Sequence, residues 1–300
     1  MRGLLVVVIL LCAIVLPNLP GTDNPTVPSR PAGAFSTSSP AAVAARATKP
    51  YVVIASSPVP VYHATRRLEM HAGPGRALSI LHSLRVHQPV VFITIDDGYT
   101  RDARVLGFLR RTHLPVTLFL VDDAAQRGPG YFRALQSAGA VIENHTKLHP
   151  HLRRLRYRQQ KAQICTPEWR DRRMFGRAPA LFRPPYGEYD LRTQQAAKAC
   201  GMRALVLWRA AYVKGRLHTI GGLRAGDIVL LHFNTYLFAD LNDLVARLHR
   251  AHLGVGLLED YLDVGARIPP PQPKPLPSPS SSPSPTPSAS PLLSPLPSPS

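Results

Sequence analysis

The sequence predicts an α/β fold, a distorted (β/α) barrel of about seven parallel strands with a disordered tail at each end. From residue 90 onward, short apolar runs alternate with amphipathic or charged stretches, which is the order of βα units. Polar side chains follow several of these apolar runs directly, and a barrel places its active site at the carboxyl ends of its strands. The Pro- and Ser-rich ends contain little that could form a core.

The first 50 residues predict an export signal followed by a spacer. Residues 3–15 are uncharged and apolar, a run shorter than the roughly 20 residues of a membrane span. We therefore expect residues 1–20 to be a signal peptide or a signal anchor. Residues 21–50 are rich in Pro, Ser, Thr and Ala and predict a flexible spacer.

The rest of the chain divides into an extension, one domain and a tail. Residues 51–88 form an N-terminal extension whose structure the sequence does not determine, and residues 89–265 hold the predicted barrel. Residues 269–300 are mostly Pro and Ser with Lys274 as the only charge, so we predict a disordered tail. With the export signal, this predicts a secreted or cell-surface protein, anchored to the membrane if its first segment is retained.

Seven short apolar runs in the domain predict its strands, and the amphipathic stretches between them predict its helices. The predicted strands are residues 90–95, 116–121, 140–143, 181–183, 203–208, 227–232 and 254–257. The predicted helices are residues 102–112, 130–138, 151–164, 191–200 and 241–252.

The formal net charge of +18 arises mostly from the domain, since the tails carry few charges. A basic surface on an exported protein predicts contact with an anionic cell-wall polymer. We expect a monomer without a nucleic-acid partner, because neither a basic helix nor an aromatic RNA-binding platform is evident. Cys165 and Cys200 form an even pair in an oxidising compartment, which predicts a disulfide, with two buried thiols as the alternative.

Two adjacent carboxylates, Asp96 and Asp97, end the first predicted strand and precede Gly98. Like charges held this close oppose each other's ionisation unless a cation or a reaction uses them. His145 and His149 lie four residues apart, so one tight loop or helical turn can aim both at the same ion. We therefore predict a divalent metal bound by Asp97, His145 and His149, with Zn²⁺ favoured over Co²⁺, Mn²⁺ or another ion.

Other polar residues at strand ends predict the groups for amide hydrolysis. Asp96 is predicted to take a proton from the attacking water, and Arg183 to hold Asp96 ionised through a charged hydrogen bond. His232 is predicted to protonate the departing nitrogen from the other side of the substrate. Trp208, at another strand end, is predicted either as core or as a platform for a sugar ring.

Four segments around these residues resemble the motifs of a known family. They are Thr-Ile-Asp-Asp-Gly at residues 94–98, His-Thr-Lys-Leu-His-Pro at 145–150, Arg-Pro-Pro-Tyr-Gly at 183–187 and Ile-Val-Leu-Leu-His at 228–232. In this order they are similar to four of the five motifs of the polysaccharide deacetylases, the NodB-homology or carbohydrate esterase family 4. The resemblance covers about residues 90–262 and implies a NodB-like barrel that removes acetyl groups from an N-acetylated glycan, peptidoglycan or chitin-like, with a divalent metal.

The resemblance also implies a role for each motif residue. It gives Asp97, His145 and His149 as metal ligands, Asp96 as base and His232 as acid, with Arg183 supporting Asp96. It further implies that the backbone N–H of Tyr186 helps hold the oxyanion and that Leu230 lines a pocket for the acetyl methyl group.

The fourth family motif departs from the pattern. Where Trp-x-x-Asp-x-x-Asp-Trp usually stands, with its later Asp orienting the acid histidine, the chain has Trp-Arg-Ala-Ala-Tyr-Val-Lys-Gly at residues 208–215. Ala211 and Lys214 therefore stand where carboxylates are expected. This predicts a weakened acid step at His232 or a substitute carboxylate, for which the sequence suggests Asp190 and Asp227.

Two other functions compete with deacetylation. The altered fourth motif is compatible with a non-catalytic surface module that binds metal and glycan without releasing acetate. An amidohydrolase acting on a small cyclic amide is the third interpretation. The intact Asp96-Asp97 pair with both histidines argues against it, since such relatives are expected to lose parts of the metal triad.

Overall fold

The computed structural model describes residues 59–70 and 77–264 of the 300-residue chain. The predicted signal segment, spacer and Pro- and Ser-rich tail lie outside the described residues. Within the described ranges, no helix combines the length and the apolar composition that crossing a bilayer requires.

A curled, mostly parallel sheet of eleven strands forms the centre of the fold. Its strands are β1 (Val61–Tyr62), β2 (Ser79–Leu81), β3 (Val90–Asp97), β4 (Thr117–Leu120), β5 (Val141–Asn144), β6 (Leu181–Phe182), β7 (Ala204–Val206), β8 (Ala210–Val213), β9 (Arg216–Thr219), β10 (Ile228–His232) and β11 (Gly254–Gly256). They lie in the order β2-β7-β6-β5-β4-β3-β10-β8-β9, and β11 pairs with β1 and β3. The predicted α/β barrel is thus confirmed, in the form of a half-barrel.

Six α-helices connect these strands. They are α1 (Ala103–Thr112), α2 (Asp122–Gln126), α3 (Pro129–Ser137), α4 (Tyr157–Phe175), α5 (Leu191–Ala199) and α6 (Leu237–Arg250). Short 3₁₀ helices cover Leu152–Arg154, Pro185–Gly187 and Leu258–Tyr261. Each predicted strand and helix is present with shifted ends. The predicted helix at residues 151–164 was wrong in extent, because α4 begins at Tyr157 and continues past Pro167.

The extension at residues 51–88 contributes to the same sheet. In its described part, β1 pairs with β11 and β2 pairs with β7. These strands are two and three residues long, too short for an apolar period to reveal them. The β8–β9 hairpin is antiparallel and was also not predicted.

Strand β3 is buried on both faces, which explains its continuous apolar run. Val91, Ile93 and Ile95 pack in the core beneath the helices, whereas Val90 and Phe92 pack in the cluster that also holds Tyr261. This alternation follows from the two-residue period of a strand. The strand that carries the acidic pair is therefore enclosed up to its last residue, Asp97, which is partly exposed.

A buried polar cluster lies between β4, β5 and the last 3₁₀ helix. Glu143 accepts hydrogen bonds from Arg177 at 2.6 Å and from the Leu181 N–H at 2.7 Å. Glu259 accepts one from the Thr117 hydroxyl at 2.8 Å, while its Oε1 is buried without a partner in the described part of the chain. Burial raises the pKa of Glu259 to about 8, and the charge of Glu143 adds to the rise.

Candidate metal centre and active site

The predicted site residues meet at the carboxyl ends of four strands. Asp96 and Asp97 end β3, His145 follows β5, Arg183 follows β6, and His232 ends β10 with its Cα paired to that of Asp96. Parallel strands end at one edge of a sheet, so residues far apart in sequence become neighbours there.

Asp97, His145 and His149 form a cluster that fits a divalent cation. The Oδ1 atom of Asp97 lies 3.7 Å from Nε2 of His145 and 3.5 Å from Nε2 of His149. One ligand atom from each residue lies within 4.8 Å of the others. A tetrahedral ion with bonds of about 2.1 Å separates its ligands by roughly 3.4 Å, so the three groups match a metal site with an open position.

Both histidines are in the state that a metal ligand requires. The Nδ1–H of His145 donates to the carbonyl oxygen of Arg183 at 2.7 Å, which leaves the Nε2 lone pair facing the cluster. Burial lowers the pKa of His145 to about 3 and also lowers the pKa of His149. Neutral imidazoles therefore face the Asp97 carboxylate.

A sharp turn after β3 aims Asp97 along the sheet edge. Asp97 has a φ of 81° and Gly98 a φ of 100°. A Cβ atom at Gly98 would lie 3.0 Å from the Phe132 ring, so this position requires glycine. The Val121 N–H donates to the Asp97 carbonyl at 3.0 Å and ties the turn to the end of β4.

The loop that carries both histidines is fixed from within. The Thr146 N–H donates to the Asn144 side chain at 2.9 Å, and the His149 N–H donates to the Thr146 hydroxyl at 2.9 Å. These bonds hold Thr146 and His149 at φ values of 69° and 57°. The histidines are thus presented by a tight loop rather than a helical turn.

Helix α4 anchors the same loop from outside. The Gln163 carbonyl accepts from the Lys147 N–H at 2.8 Å, and the Gln163 side chain accepts from the Leu148 N–H at 3.0 Å. Four residues further along α4 stands Pro167, which has no N–H to donate. The proline therefore leaves the Gln163 carbonyl without its helical donor, and the histidine loop supplies one.

A fully buried arginine holds the second carboxylate of β3. Arg183 Nη1 donates to Asp96 Oδ1 at 2.6 Å and to the Thr94 hydroxyl at 2.8 Å. Its other N–H groups donate to the carbonyls of Val206 and Leu207 at 3.1 and 3.2 Å. Burial raises the pKa of Asp96, and the charge of Arg183 opposes this rise. Asp96 thus keeps Oδ2 free of the arginine.

Tyr186 lies on the open side of the cluster. It has a φ of 60°, its side chain is exposed, and its N–H makes no backbone hydrogen bond within the described ranges. Its ring stacks on His151 with centroids 4.0 Å apart and meets the edge of His149 at 4.7 Å. His151 Nδ1 lies 3.1 Å from Glu188 Oε2. The support by His151 and Glu188 was not predicted, because neither residue has motif spacing.

Leu230 and Trp208 border the site. Leu230 is buried two residues before His232, so both side chains leave the same face of β10. Trp208 is half-buried against the cluster that also holds Phe92 and Tyr261, and a Cβ atom at Gly187 would lie 3.1 Å from its ring. Trp208 therefore packs on the core and also flanks the Tyr186 segment.

The altered fourth motif forms β8 and the turn after it. Lys214 and Gly215, with φ values of 49° and 77°, are the two central residues of a type I′ hairpin turn. Lys214 is exposed at the tip, and Ala211 is buried in β8. The hairpin therefore brings no carboxylate of its own to His232.

The two substitute carboxylates suggested by the sequence were wrong. Asp190 caps α5, where its carboxylate accepts from the Thr193 N–H at 2.8 Å. Asp227 is buried and accepts from Arg209 at 2.6 Å. It precedes His232 by five residues, roughly 16 Å along a strand. Both carboxylates have structural partners away from the acid histidine.

The two cysteines of the domain form a disulfide. Cys165 lies in α4 and Cys200 at the end of α5, 35 residues apart in sequence. The bond joins α4, the helix that anchors the histidine loop, to the neighbouring helix α5.

Comparisons with known proteins agree with this geometry. A family profile described as polysaccharide deacetylase matches residues 84–205. An uncharacterised protein of Streptomyces coelicolor is 41% identical over 200 residues, which cover 64% of this chain and 80% of that protein. A peptidoglycan-N-acetylglucosamine deacetylase of Bacillus cereus is 34% identical over 100 residues, 33% of this chain and 36% of that enzyme. This chain thus spans about a third of the second relative.

Solved structures show the same fold. A family 4 carbohydrate esterase from Streptomyces lividans, in complex with acetate, has a TM-score of 0.51 and 25% identity, covering 57% of this chain and 93% of that one. A carbohydrate esterase family 4 pseudoenzyme from Bacillus anthracis has a TM-score of 0.56 and 17% identity, covering 62% and 69%. From its sequence similarity, its motifs and its fold, the chain belongs to the polysaccharide deacetylase family.

Proposed function

We propose that this protein is a metal-dependent deacetylase that hydrolyses the N-acetyl groups of a glycan of the peptidoglycan or chitin class. The observation that carries the proposal is the convergence of Asp97, His145 and His149 beside the buried Asp96–Arg183 pair. Relatives named as peptidoglycan and chitin deacetylases support the substrate class. Because the sequence predicts an export signal at residues 1–20, we expect the reaction to take place outside the cell or at its surface.

The donor set determines what a bound ion would contribute. A divalent cation held by Asp97, His145 and His149 supplies Lewis acidity, which acidifies water and polarises a carbonyl oxygen. One carboxylate and two imidazoles suit Zn²⁺, with Co²⁺ and Mn²⁺ as alternatives.

The chain's own residues move the protons and hold the substrate. Asp96 takes the proton of the attacking water on Oδ2, because Arg183 occupies Oδ1. His232 protonates the departing nitrogen. The Tyr186 N–H donates to the oxyanion, and Leu230 receives the acetyl methyl group.

Acetate release from N-acetylglucosamine oligomers and from peptidoglycan tests the proposal. We expect a metal chelator to abolish release and Asp96→Asn to lower it by at least about 100-fold, since the general base is lost. Asp263→Asn, which neutralises an exposed carboxylate outside the site, should leave release unchanged. Equal release by the Asp96→Asn variant would contradict the assignment of the base.

Elemental analysis tests the metal site separately from catalysis. His145→Gln is expected to lose the bound metal, whereas His249→Gln, which changes an exposed histidine at the end of α6, should retain it. Metal retained by His145→Gln would show that the ion is bound elsewhere.

A second candidate follows from the altered fourth motif. With Ala211 and Lys214 in place of carboxylates, the protein would be a surface module that binds metal and glycan without hydrolysis. Glycan binding by the metal-loaded protein, with no acetate released from either substrate, would favour this module.

A further inference from the structure

A basic cavity lies at the end of the sheet opposite to the metal cluster. Residues 65–69 and 85–88, together with Tyr261, line a space of about 450 Å³, which falls within the range of small-molecule sites, roughly 300–1,000 Å³. Residues 85–88 precede β3, whose other end carries Asp96 and Asp97. A strand of this length spans roughly 20–25 Å, so the basic cavity is well separated from the metal cluster.

Hydrogen bonds between three segments form the frame of the basic cavity. The Tyr261 hydroxyl donates to Gln88 Oε1 at 2.6 Å, and Gln88 Nε2 donates to the His63 carbonyl oxygen at 3.0 Å. The Leu68 N–H donates to the Tyr261 carbonyl oxygen at 2.8 Å. Tyr261 is itself buried, and its ring meets the Phe92 ring of β3 with centroids 4.9 Å apart. The frame is therefore tied to the core, which preorganises the cavity for a ligand.

A glycine fixes the segment that carries Arg85. The Leu84 N–H donates to the Gly226 carbonyl oxygen at 2.8 Å, and the Gly226 N–H donates to the Val90 carbonyl oxygen at 2.7 Å. Gly226 has a φ of 87°, and a Cβ atom there would collide with the Leu84 carbonyl oxygen. Arg85 thus follows directly on an anchored residue and stays at the wall of the basic cavity.

The lining is rich in cationic donors and poor in acids. Arg66, Arg67 and Arg85 are exposed, and within residues 59–70 and 77–264 none of their guanidinium groups has a hydrogen-bond or ion-pair partner. Glu69 is the only acid among the described lining residues. Cations that line one cavity repel each other, and a bound anion offsets this repulsion.

The walls of the basic cavity determine which anion suits it. Guanidinium groups on different walls can donate to the tetrahedral oxygens of one phosphate at once, whereas a carboxylate presents two oxygens in one plane. Arg66 and Arg67 lie in the N-terminal extension, before residue 84, where the family match begins. The wall that they form is therefore an addition of this chain to the matched domain.

We propose that the basic cavity binds the phosphate groups of an anionic polymer, at a site separate from the metal cluster. The inference goes beyond the proposed deacetylation and does not depend on it. Binding at this end of the sheet would leave the carboxyl ends of the strands open to a glycan.

The test measures binding of a glycerol-phosphate oligomer to the 300-residue protein by calorimetry at physiological salt. The double variant Arg66→Gln with Arg67→Gln is expected to weaken binding at least about tenfold, because it removes charge-assisted hydrogen bonds to phosphate. Arg85→Gln changes the other wall and should also weaken binding, which tests the site without altering residues 65–69.

A matched pair of arginines controls for net charge. Arg110 and Arg111 are likewise adjacent and exposed, at the end of α1. Replacing both with Gln removes the same two charges and is expected to weaken binding by less than about twofold, since salt screens distant charges. Equal weakening by the two double variants would overturn the inference, because charge anywhere on the surface would then suffice.

Two further measurements test the ligand and the separation of the sites. Equal affinity for a poly-glutamate of the same charge would overturn the assignment to phosphate. Acetate release from an uncharged N-acetylglucosamine oligomer should be unchanged by the Arg66→Gln and Arg67→Gln substitutions, and its loss would contradict a separate site. The binding measurement does not use acetate release, so it decides the inference whether or not the proposed function holds.

Discussion

Backbone conformation at single residues marks the site. In the described part of the chain, seven residues other than glycine have a positive φ, and four of them surround the metal cluster: Asp97, Thr146, His149 and Tyr186. Each such conformation costs on the order of 1–3 kcal/mol and persists only where its surroundings enforce it. The hydrogen bonds of the histidine loop supply that enforcement, so the ligands are held in place before a metal arrives.

The buried Glu259 is expected to make the fold less stable as the pH rises. Its pKa is raised from 4.5 to about 8 in the folded protein, so the unfolded chain loses this proton first. Stability should therefore fall between these two pH values. Glu259→Gln removes the titration and should raise the free energy of unfolding at about pH 8 by on the order of 1–3 kcal/mol.

Urea unfolding at several pH values measures this effect. The control is Glu168→Gln, which changes a more exposed carboxylate on α4 that pairs with Arg172. An equal fall in stability with pH for the wild type and Glu259→Gln would exclude Glu259 as its source.

The three residues of the proposed metal site could be predicted from sequence, whereas the support of Tyr186 by His151 and Glu188 could not. Asp97 and His145 follow apolar runs, and strands that end at one edge bring such residues together. His151 and Glu188 lie outside the helices and strands, where no apolar period or motif spacing distinguishes them from solvated residues. Only the stacking of the Tyr186 ring on His151, with centroids 4.0 Å apart, and the contact of His151 with Glu188 show that they border the site.

At the scale of elements, α4 and α5 support the histidine loop together. The Cys165–Cys200 disulfide joins them, and Ile164, Ala196 and Ala197 share one buried cluster beside it. Gln163, two residues before the bridged Cys165, holds the histidine loop. A change that destabilises this helix pair should therefore also disturb the positions of His145 and His149.

Loss of the disulfide is expected to destabilise the domain. The bond closes a segment of 35 residues, which corresponds to about 3–4 kcal/mol of loop-closure entropy in the unfolded chain. A variant with Cys165→Ser and Cys200→Ser should show this loss in chemical denaturation and a lower melting temperature. The wild type should approach the variant when a reducing agent is added, and the variant should not respond. A wild type that is insensitive to reduction would contradict the expected contribution.

Among the elements that were predicted, α4 is the one whose extent the sequence predicted least well. Arg153 and Arg154 fall in a separate 3₁₀ turn, and the second half of α4 is rich in arginine, so its apolar period is weak. Pro167 also suggests a helix end, yet the helix continues because a tertiary contact uses the carbonyl that the proline leaves free.

For the whole molecule, charge is the dominant property. The net charge of +18 comes from 36 basic and 18 acidic residues, and residues 269–300 contribute one Lys to it. Such a field attracts polyanions up to about one Debye length from the surface, about 8–10 Å at physiological ionic strength, beyond which salt screens the charges. We therefore expect the protein to concentrate on an anionic wall polymer that its catalytic site does not cleave.

Salt should separate this attraction from catalysis. Retention on a phosphate-rich, teichoic-type polymer is expected to fall by more than about tenfold between low and high NaCl concentration, because long-range attraction is screened. Acetate release from an uncharged N-acetylglucosamine oligomer serves as the control and should change little. Retention that does not depend on salt would indicate recognition through short-range contacts instead.

Pro167 makes the integrity of α4 and the shape of the histidine loop parts of one cooperative unit. The Gln163 carbonyl of α4 accepts from the Lys147 N–H of the histidine loop instead of from a helical N–H. The hydrogen bonds of the helix are therefore complete only when the loop is folded, and those of the loop only when the helix is. Ion loading at the histidines would then protect amide protons of α4 from solvent exchange, well beyond the coordination sphere. A design strategy that replaces helix prolines to gain thermal tolerance would, at Pro167, be expected to weaken metal binding.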